Sequence, residues 1–407
     1  MTRATDLDRN ASQSLSWGSK TVMLTGGISV AITLSALTPV LPKIDAALAH
    51  GPDDTFLVKL LVTVVGLTMV IGAPITGFLI DRSGVRRVLT VSSLLYAVAG
   101  TAGLYLHSLR ALLVSRLLLG FAAASIATIS MTIINARLDA QGRAKWMGGH
   151  VAVATLGGLL LSPVAGALGE LSWRGPFALY FFGLLLAVVA MLGLDDWRPA
   201  PRPVARDASE QRLLSWFPAR YALLAIVIGS ITYLPVVYVP FLTRDAGISS
   251  PFLISLIFLA DTTLTITMAS LFGKLSRYVS SQAAFAFSFA CTGLGMLITA
   301  FSSSIVGIFI GMMAFGLGLG WFVPNLMTAA AKQVAVDQQG RTVGLVKAAH
   351  YLAAPLCTVL VEPLTRAVGP RGAMLTGAVL SILLLGLFAY QCTPRGTRAL
   401  RASSQRV

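Results

Sequence analysis

The chain has 407 residues, of which 56% are hydrophobic and only 12% charged, with a mean hydropathy of +0.79. That is too little charge to coat a water-soluble body of this length, so much of the apolar surface must face lipid. A net charge of +15 raises nucleic acid as a partner, but the placement of the charge, taken up below, excludes it.

The first 19 residues are polar and hold no apolar run, so no cleaved leader is expected. Apolar segments then recur along the whole chain. Several approach or exceed the ~20 residues that cross a bilayer as helix, the form that pairs every backbone group within the segment. Spans 1 to 12 are predicted at 20–42, 56–80, 87–107, 109–135, 145–168, 175–194, 219–243, 252–273, 281–301, 304–331, 341–363 and 371–391. The alternation of a membrane barrel is absent. The expected fold class is all-α integral membrane.

With a cytoplasmic amino terminus, the inside-facing segments hold clusters such as Arg82, Arg86 and Arg87, then Arg137, Arg143 and Lys145, then Arg198, Arg202 and Arg206. The opposite loops hold only Lys43, Arg110, Arg174, Arg244, Arg366 and Arg371. This bias follows the positive-inside rule and puts both termini in the cytoplasm of a bacterial-type inner membrane. The basic charge is therefore topological.

The one long polar interruption, Asp195 to Arg220, divides the chain into six spans before and six after. Its Leu213–Arg220 end, with Trp216 and Phe217, suits a short amphipathic segment at the membrane surface. The expected organisation is a tail at 1–19, a six-helix bundle at 20–194, a linker at 195–218, a second bundle at 219–392 and a tail at 393–407. An offset of 196 residues lays Gly51 on Gly247, Gly77 on Gly273, Gly120 on Gly316, Gly148 on Gly344 and Pro39 on Pro235. Asp139 to Arg143 is also mirrored by Asp337 to Arg341, at the same four-residue spacing. Two related bundles with a site between them near the midplane are a common secondary-transporter plan.

After span 2 the sequence reads Gly77-Phe-Leu-Ile-Asp81-Arg82-Ser-Gly84-Val-Arg86-Arg87. Its glycines permit close helix approach, and its Asp and Arg residues supply ion pairs and helix-end charge interactions. The string resembles the loop 2–3 motif of the major facilitator superfamily. Arg116-Leu-Leu-Leu-Gly120 in span 4 resembles that family's Arg-x-x-x-Gly. The run from Gly158 through Pro163 to Gly166 in span 5 resembles its antiporter element, with Ser162 and Ala167 where the element has glycine. The pattern is most similar to the twelve-helix drug:proton antiporters. The resemblance implies two pseudo-symmetric six-helix bundles and alternating access between them, with Gly77, Asp81, Arg82, Gly84, Arg86, Arg87, Pro163 and Gly166 as a conformational motif.

Ionisable groups at membrane depth are functional candidates because burying a charge is costly. Asp261 lies about halfway along span 8 and is the leading proton carrier; an Asp held permanently by a partner is the bland alternative. Lys347 and His350 share one face of span 11 and are possible partners for it. His350 is either a second proton carrier or a hydrogen-bonding packer. Arg116 is either a substrate contact or a structural arginine. Asn325, Tyr233, Tyr238, Trp321 and Tyr351 complete the candidate substrate path, the aromatic ones serving equally as interfacial anchors. Pro39, Pro42, Pro235, Pro240, Pro324 and Pro355 are expected to bend spans 1, 7, 10 and 11, and Gly316, Gly318 and Gly320 to allow close packing or flexure.

Cys291, Cys357 and Cys392 show no metal spacing and no disulfide framework. No cluster stands at catalytic spacing, and neither an enzyme nor a cofactor is expected. The expected function is proton-coupled efflux of a small organic molecule, by a monomer whose partners are substrate, protons and lipid. Export of an organic anion or chelator, uptake by symport, and a transporter-like receptor are the alternatives.

Overall fold

The computed structural model of the chain describes residues 15–199, 216–335 and 338–393. Most of both tails, residues 200–215 of the linker and Asp337 of the mirrored Asp–Arg pair lie outside the described residues, as do the side chains of Trp216 and Phe217. Among the described residues every regular element is helical.

Among the described residues twelve helical runs are long and apolar enough to cross a membrane: Trp17–Leu48, Pro52–Ser83, Val85–Leu104, Leu109–Arg137, Gln141–Leu171, Gly175–Gly193, Ala219–Asp245, Pro251–Leu275, Ser281–Phe301, Ile305–Ala331, Gln339–Val368 and Pro370–Cys392. They match the twelve predicted spans one for one and keep those numbers here. The observed helices mostly run past the apolar stretches. Span 2, for example, starts at Pro52 with Asp53 and Asp54 in its first turn, where carboxylates favour the positive end of the helix dipole.

The contacts divide the chain into two units. One holds Met1–Leu37 with Leu60–Ala205, the other Thr38–Lys59 with Arg206–Val407. The departure from a simple cut at the linker has a local cause. Span 1 is helical over Trp17–Ser35, drops into a 3-10 turn at Thr38–Val40 and resumes over Leu41–Leu48. Pro39 and Pro42 cannot donate backbone hydrogen bonds there. Span 2 breaks too, between Pro52–Thr63 and Val65–Ser83. Spans 7, 10 and 11 stay continuous helices with their prolines inside.

Within the first unit small residues set the helix spacing, as expected for packing without a hydrophobic drive between helices. A Cβ at Gly27 would meet Ala154 of span 5, and one at Gly72 would meet Ala124 of span 4. Span 5 is also tied to span 1 by His150 Nδ1 and the Met23 carbonyl, 2.7 Å apart. In the second unit the glycine run of span 10 works on two faces. Gly316 and Gly320 press on span 8, while Gly318 presses on span 9 through the Ser288 carbonyl.

The 196-residue offset reappears as geometry. A Cβ at Gly120 would lie 2.5 Å from the Val65 carbonyl oxygen, and one at Gly316 would lie 2.5 Å from the Asp261 carbonyl oxygen. Val65 and Asp261 are themselves 196 apart (261 − 65), so spans 2 and 4 cross where spans 8 and 10 cross. Gly77 and Gly273 also behave alike. Nothing lies within 4 Å of a Cβ at either, so close approach does not explain them here.

Candidate functional site

The turn after span 2 requires its glycine. Gly84 has φ +84°, a region that side-chain-bearing residues avoid, and its N–H donates to the Ile80 carbonyl. The segment after span 6 closes over this turn. Val85 N–H donates to the Trp197 carbonyl at 3.0 Å, and Arg86 Nη2 donates to the Met191 carbonyl. Arg137 pairs with Asp195 at 3.1 Å and lies over the Trp197 ring. Asp81, Arg82 and Arg87 are exposed, and no ion pair reaches Asp81 among the described residues. In span 5, Pro163 lies inside a continuous helix and Gly166 is buried.

Asp261 is 8% exposed, ten residues into span 8, or about 15 Å along its axis. Its Oδ1 is buried with no hydrogen-bond partner. The carboxyl lies against Gly316, whose missing side chain makes the space; a Cβ there would be 2.8 Å from Oδ1. No ion pair among the described residues joins it to Lys347 or His350. Span 8 packs chiefly on span 10, and span 11 chiefly on span 7.

Lys347 and His350 belong instead to an aromatic group. The His350 ring is 5.6 Å from Tyr233 and 6.3 Å from Tyr351, and Lys347 Nζ lies 5.9 Å from the Tyr351 centroid. Lys347 is exposed.

Three other candidates are engaged in packing. Trp321 Nε1 donates to the Met268 carbonyl at 3.0 Å, with its ring against Phe272 and Phe287. Asn325 accepts from Ser281 Oγ and donates to the Ser281 carbonyl, both at 2.9 Å, tying span 10 to the start of span 9. Arg116 is only 1% exposed; Nη2 donates to the carbonyls of Ala99 (3.2 Å) and Gly100 (2.9 Å), and the guanidinium lies over Phe177 and Tyr180. It thereby satisfies carbonyls at the end of span 3 that the helix leaves open.

Sequence reasoning passed over the most developed charge cluster. Lys59 Nζ donates to Glu362 Oε2 at 2.8 Å, both side chains about nine-tenths buried. Thr365 and Arg366 also donate to that carboxylate, and Lys59 lies over the ring of Tyr238, the remaining aromatic candidate. Arg366 reaches Asp53 at 2.7 Å and Arg244 reaches Asp45 at 2.8 Å. The only sequence signal was two opposite charges inside apolar spans, separated by 303 positions.

Residues 23–354, and separately 221–406, match the Major Facilitator Superfamily. The chain belongs to that superfamily. Membership places it among transporters rather than enzymes, and with its twelve spans makes it a multi-pass membrane protein. Among relatives, it is 31% identical to the bacillibactin exporter of Bacillus subtilis over 167 residues, 39% of this chain and 41% of that one. It is 26% identical to the multidrug resistance protein MdtL of Klebsiella pneumoniae over 266 residues, 61% and 65% of the two chains. The multidrug efflux pump Tap of Mycolicibacterium fortuitum is 24% identical over 352 residues, 79% of this chain and 84% of that one. The chain thus spans less than two thirds of the first two relatives. Among solved structures, a mutant form of the nucleoside transporter NupG superposes with a TM-score of 0.78 at 14% identity, covering 92% of this chain and 100% of that one. A D-xylose-proton symporter superposes at 0.71 with 14% identity, covering 90% and 97%. At that identity the likeness concerns the fold alone.

Proposed function

We propose that this superfamily member is a proton-coupled exporter of a small organic molecule, working by alternating access, with Asp261 as its proton carrier. The observation that carries the reading is the Asp261 carboxylate, buried mid-span with an oxygen that no group among the described residues bonds. A charged carboxylate without a partner is costly to bury, so a proton taken on there stabilises the site and its release requires hydration. Lys347, His350, Tyr233 and Tyr351 form the polar and aromatic contacts offered to substrate, since two of them are ionisable and none is held in an ion pair among the described residues. The relatives named as a bacillibactin exporter, a multidrug resistance protein and a multidrug efflux pump support efflux. The basic loop bias supports a bacterial-type inner membrane with both termini cytoplasmic, and the working unit in this reading is a monomer.

Proteoliposomes holding the wild type or Asp261→Asn, challenged with cationic drugs and organic acids, test this. Substrate-dependent proton movement opposite to substrate, lost in the variant, is the expected result. Movement in the same direction as substrate replaces export with symport. Substrate movement that persists undiminished in the variant removes Asp261 from coupling.

A further inference from the structure

The end of the second unit away from the linker holds a cavity of about 230 Å³. Its wall includes Lys59, Arg244 and Arg366, a single carboxylate (Glu362), and the Phe241 ring. Arg244 closes span 7, Glu362 and Arg366 lie near the end of span 11, and Lys59 lies near the start of span 2. All belong to one contact unit.

The one carboxylate of this cavity is engaged. Glu362 Oε2 accepts from Lys59 and Thr365, and Oε1 accepts from Arg366. The donors are in excess. A guanidinium carries five N–H groups and an ammonium three. Arg244 uses Nη1 on Asp45 and Nε on Asp245, leaving Nη2 without a partner among the described residues. Arg366 uses Nε on Glu362 and Nη2 on Asp53, leaving Nη1. Lys59, nine-tenths buried, makes one hydrogen bond. A wall with spare cationic donors and a single carboxylate that is already engaged favours an anion.

The weakest contact in the cluster points the same way. Asp53 is 90% exposed where it meets Arg366. Exposed ion pairs contribute little, so an incoming carboxylate can replace Asp53 on that guanidinium at small cost. Pro52 and Pro370 add apolar wall, Phe241 lies buried beneath the Arg244 guanidinium, and the volume lies below the ~300 Å³ at which drug-sized pockets begin.

We propose that this cavity is a binding site for small organic carboxylates such as benzoate, held by Arg244, Arg366 and Lys59. It is separate from Asp261, and its occupancy rests on neither proton coupling nor the direction of transport. Under the export reading it is a second station for organic anions, at the end of the spans opposite the linker.

The test is thermal unfolding of the purified full chain in neutral detergent micelles, titrated with sodium benzoate, benzamide or sodium chloride at matched ionic strength. Benzoate is expected to raise the midpoint saturably, while benzamide and chloride leave it unchanged. Arg366→Gln and Arg244→Gln are each expected to weaken the benzoate response on the order of tenfold, the loss of one charge-assisted contact. An equal shift with benzamide overturns the proposal by making the site apolar, and an equal shift with chloride overturns it by making the effect screening. Unaltered benzoate binding in both variants overturns it as well. The three-ligand comparison on the wild type needs no variant to fold, and it uses neither a gradient nor Asp261, so a failure of coupling leaves it standing.

Discussion

Where spans 2 and 4 cross in the first unit, Gly120 presses on the carbonyl of Val65; where spans 8 and 10 cross in the second, Gly316 presses on the carbonyl of Asp261. The backbone contact is the same in both and the side chain is not. The offset of 196 also lays Arg116 on Met312, Lys59 on Ser255 and Glu362 on Gly166. Each buried charge thus occurs in one half, with an uncharged residue at the matching place in the other. Helix packing is what the two halves share, and the ionisable chemistry is where they diverge. Arg116 and Asp261 illustrate two outcomes of that divergence. The arginine bonds two carbonyls through Nη2 and lies over two aromatic faces, with Nε and Nη1 unbonded among the described residues, whereas the carboxylate has no such aromatic cover and its Oδ1 is unbonded there.

The largest effect is expected where two buried charges depend on each other. Glu362→Gln leaves Lys59 buried without its carboxylate and costs about 3–5 kcal/mol, while Lys59→Met costs less because Arg366 and Thr365 still donate to Glu362. The double substitution recovers most of that loss in mixed-micelle denaturation. Additive losses mean that the pair does not act as a unit.

Next come the shared crossings. Gly120→Ala and Gly316→Ala each force a Cβ against a backbone oxygen, and each costs about 1–3 kcal/mol by the same assay. Similar losses sharpen the equivalence of the halves, and a loss at only one of them breaks it.

Exchanging the differing side chains comes third. Asp261→Val installs the residue of the other half and removes an unsatisfied buried oxygen, so stability rises by about 1–3 kcal/mol while proton-linked flux disappears. Val65→Asp is expected to move stability the opposite way. A destabilised Asp261→Val protein shows that the carboxylate has a partner in the membrane.

The smallest effect belongs to Gly77→Ala and Gly273→Ala, where the added methyl meets nothing within 4 Å. Stability changes by less than about 1 kcal/mol, the scale of helix propensity alone. Slowed transport with stability intact in Gly77→Ala assigns that glycine to a conformational step.

The amino-acid sequence by itself determined the membrane class, the twelve spans and the internal repeat. These rest on local properties, since a helix in hydrocarbon satisfies its own backbone and its apolar length can be read residue by residue. It also marked Asp261 as a charge at membrane depth, and placed Gly84 in a glycine-bearing motif whose turn the structure then showed. Only the tertiary structure decided which charges meet. Asp261 and the Lys347–His350 face share no ion pair among the described residues because their spans pack on different neighbours. Lys59 and Glu362, 303 positions apart, are bonded at 2.8 Å because breaks in spans 1 and 2 carry Thr38–Lys59 into the second unit. Side-chain pairing depends on which faces oppose across the whole chain, a relation that no window of local sequence contains.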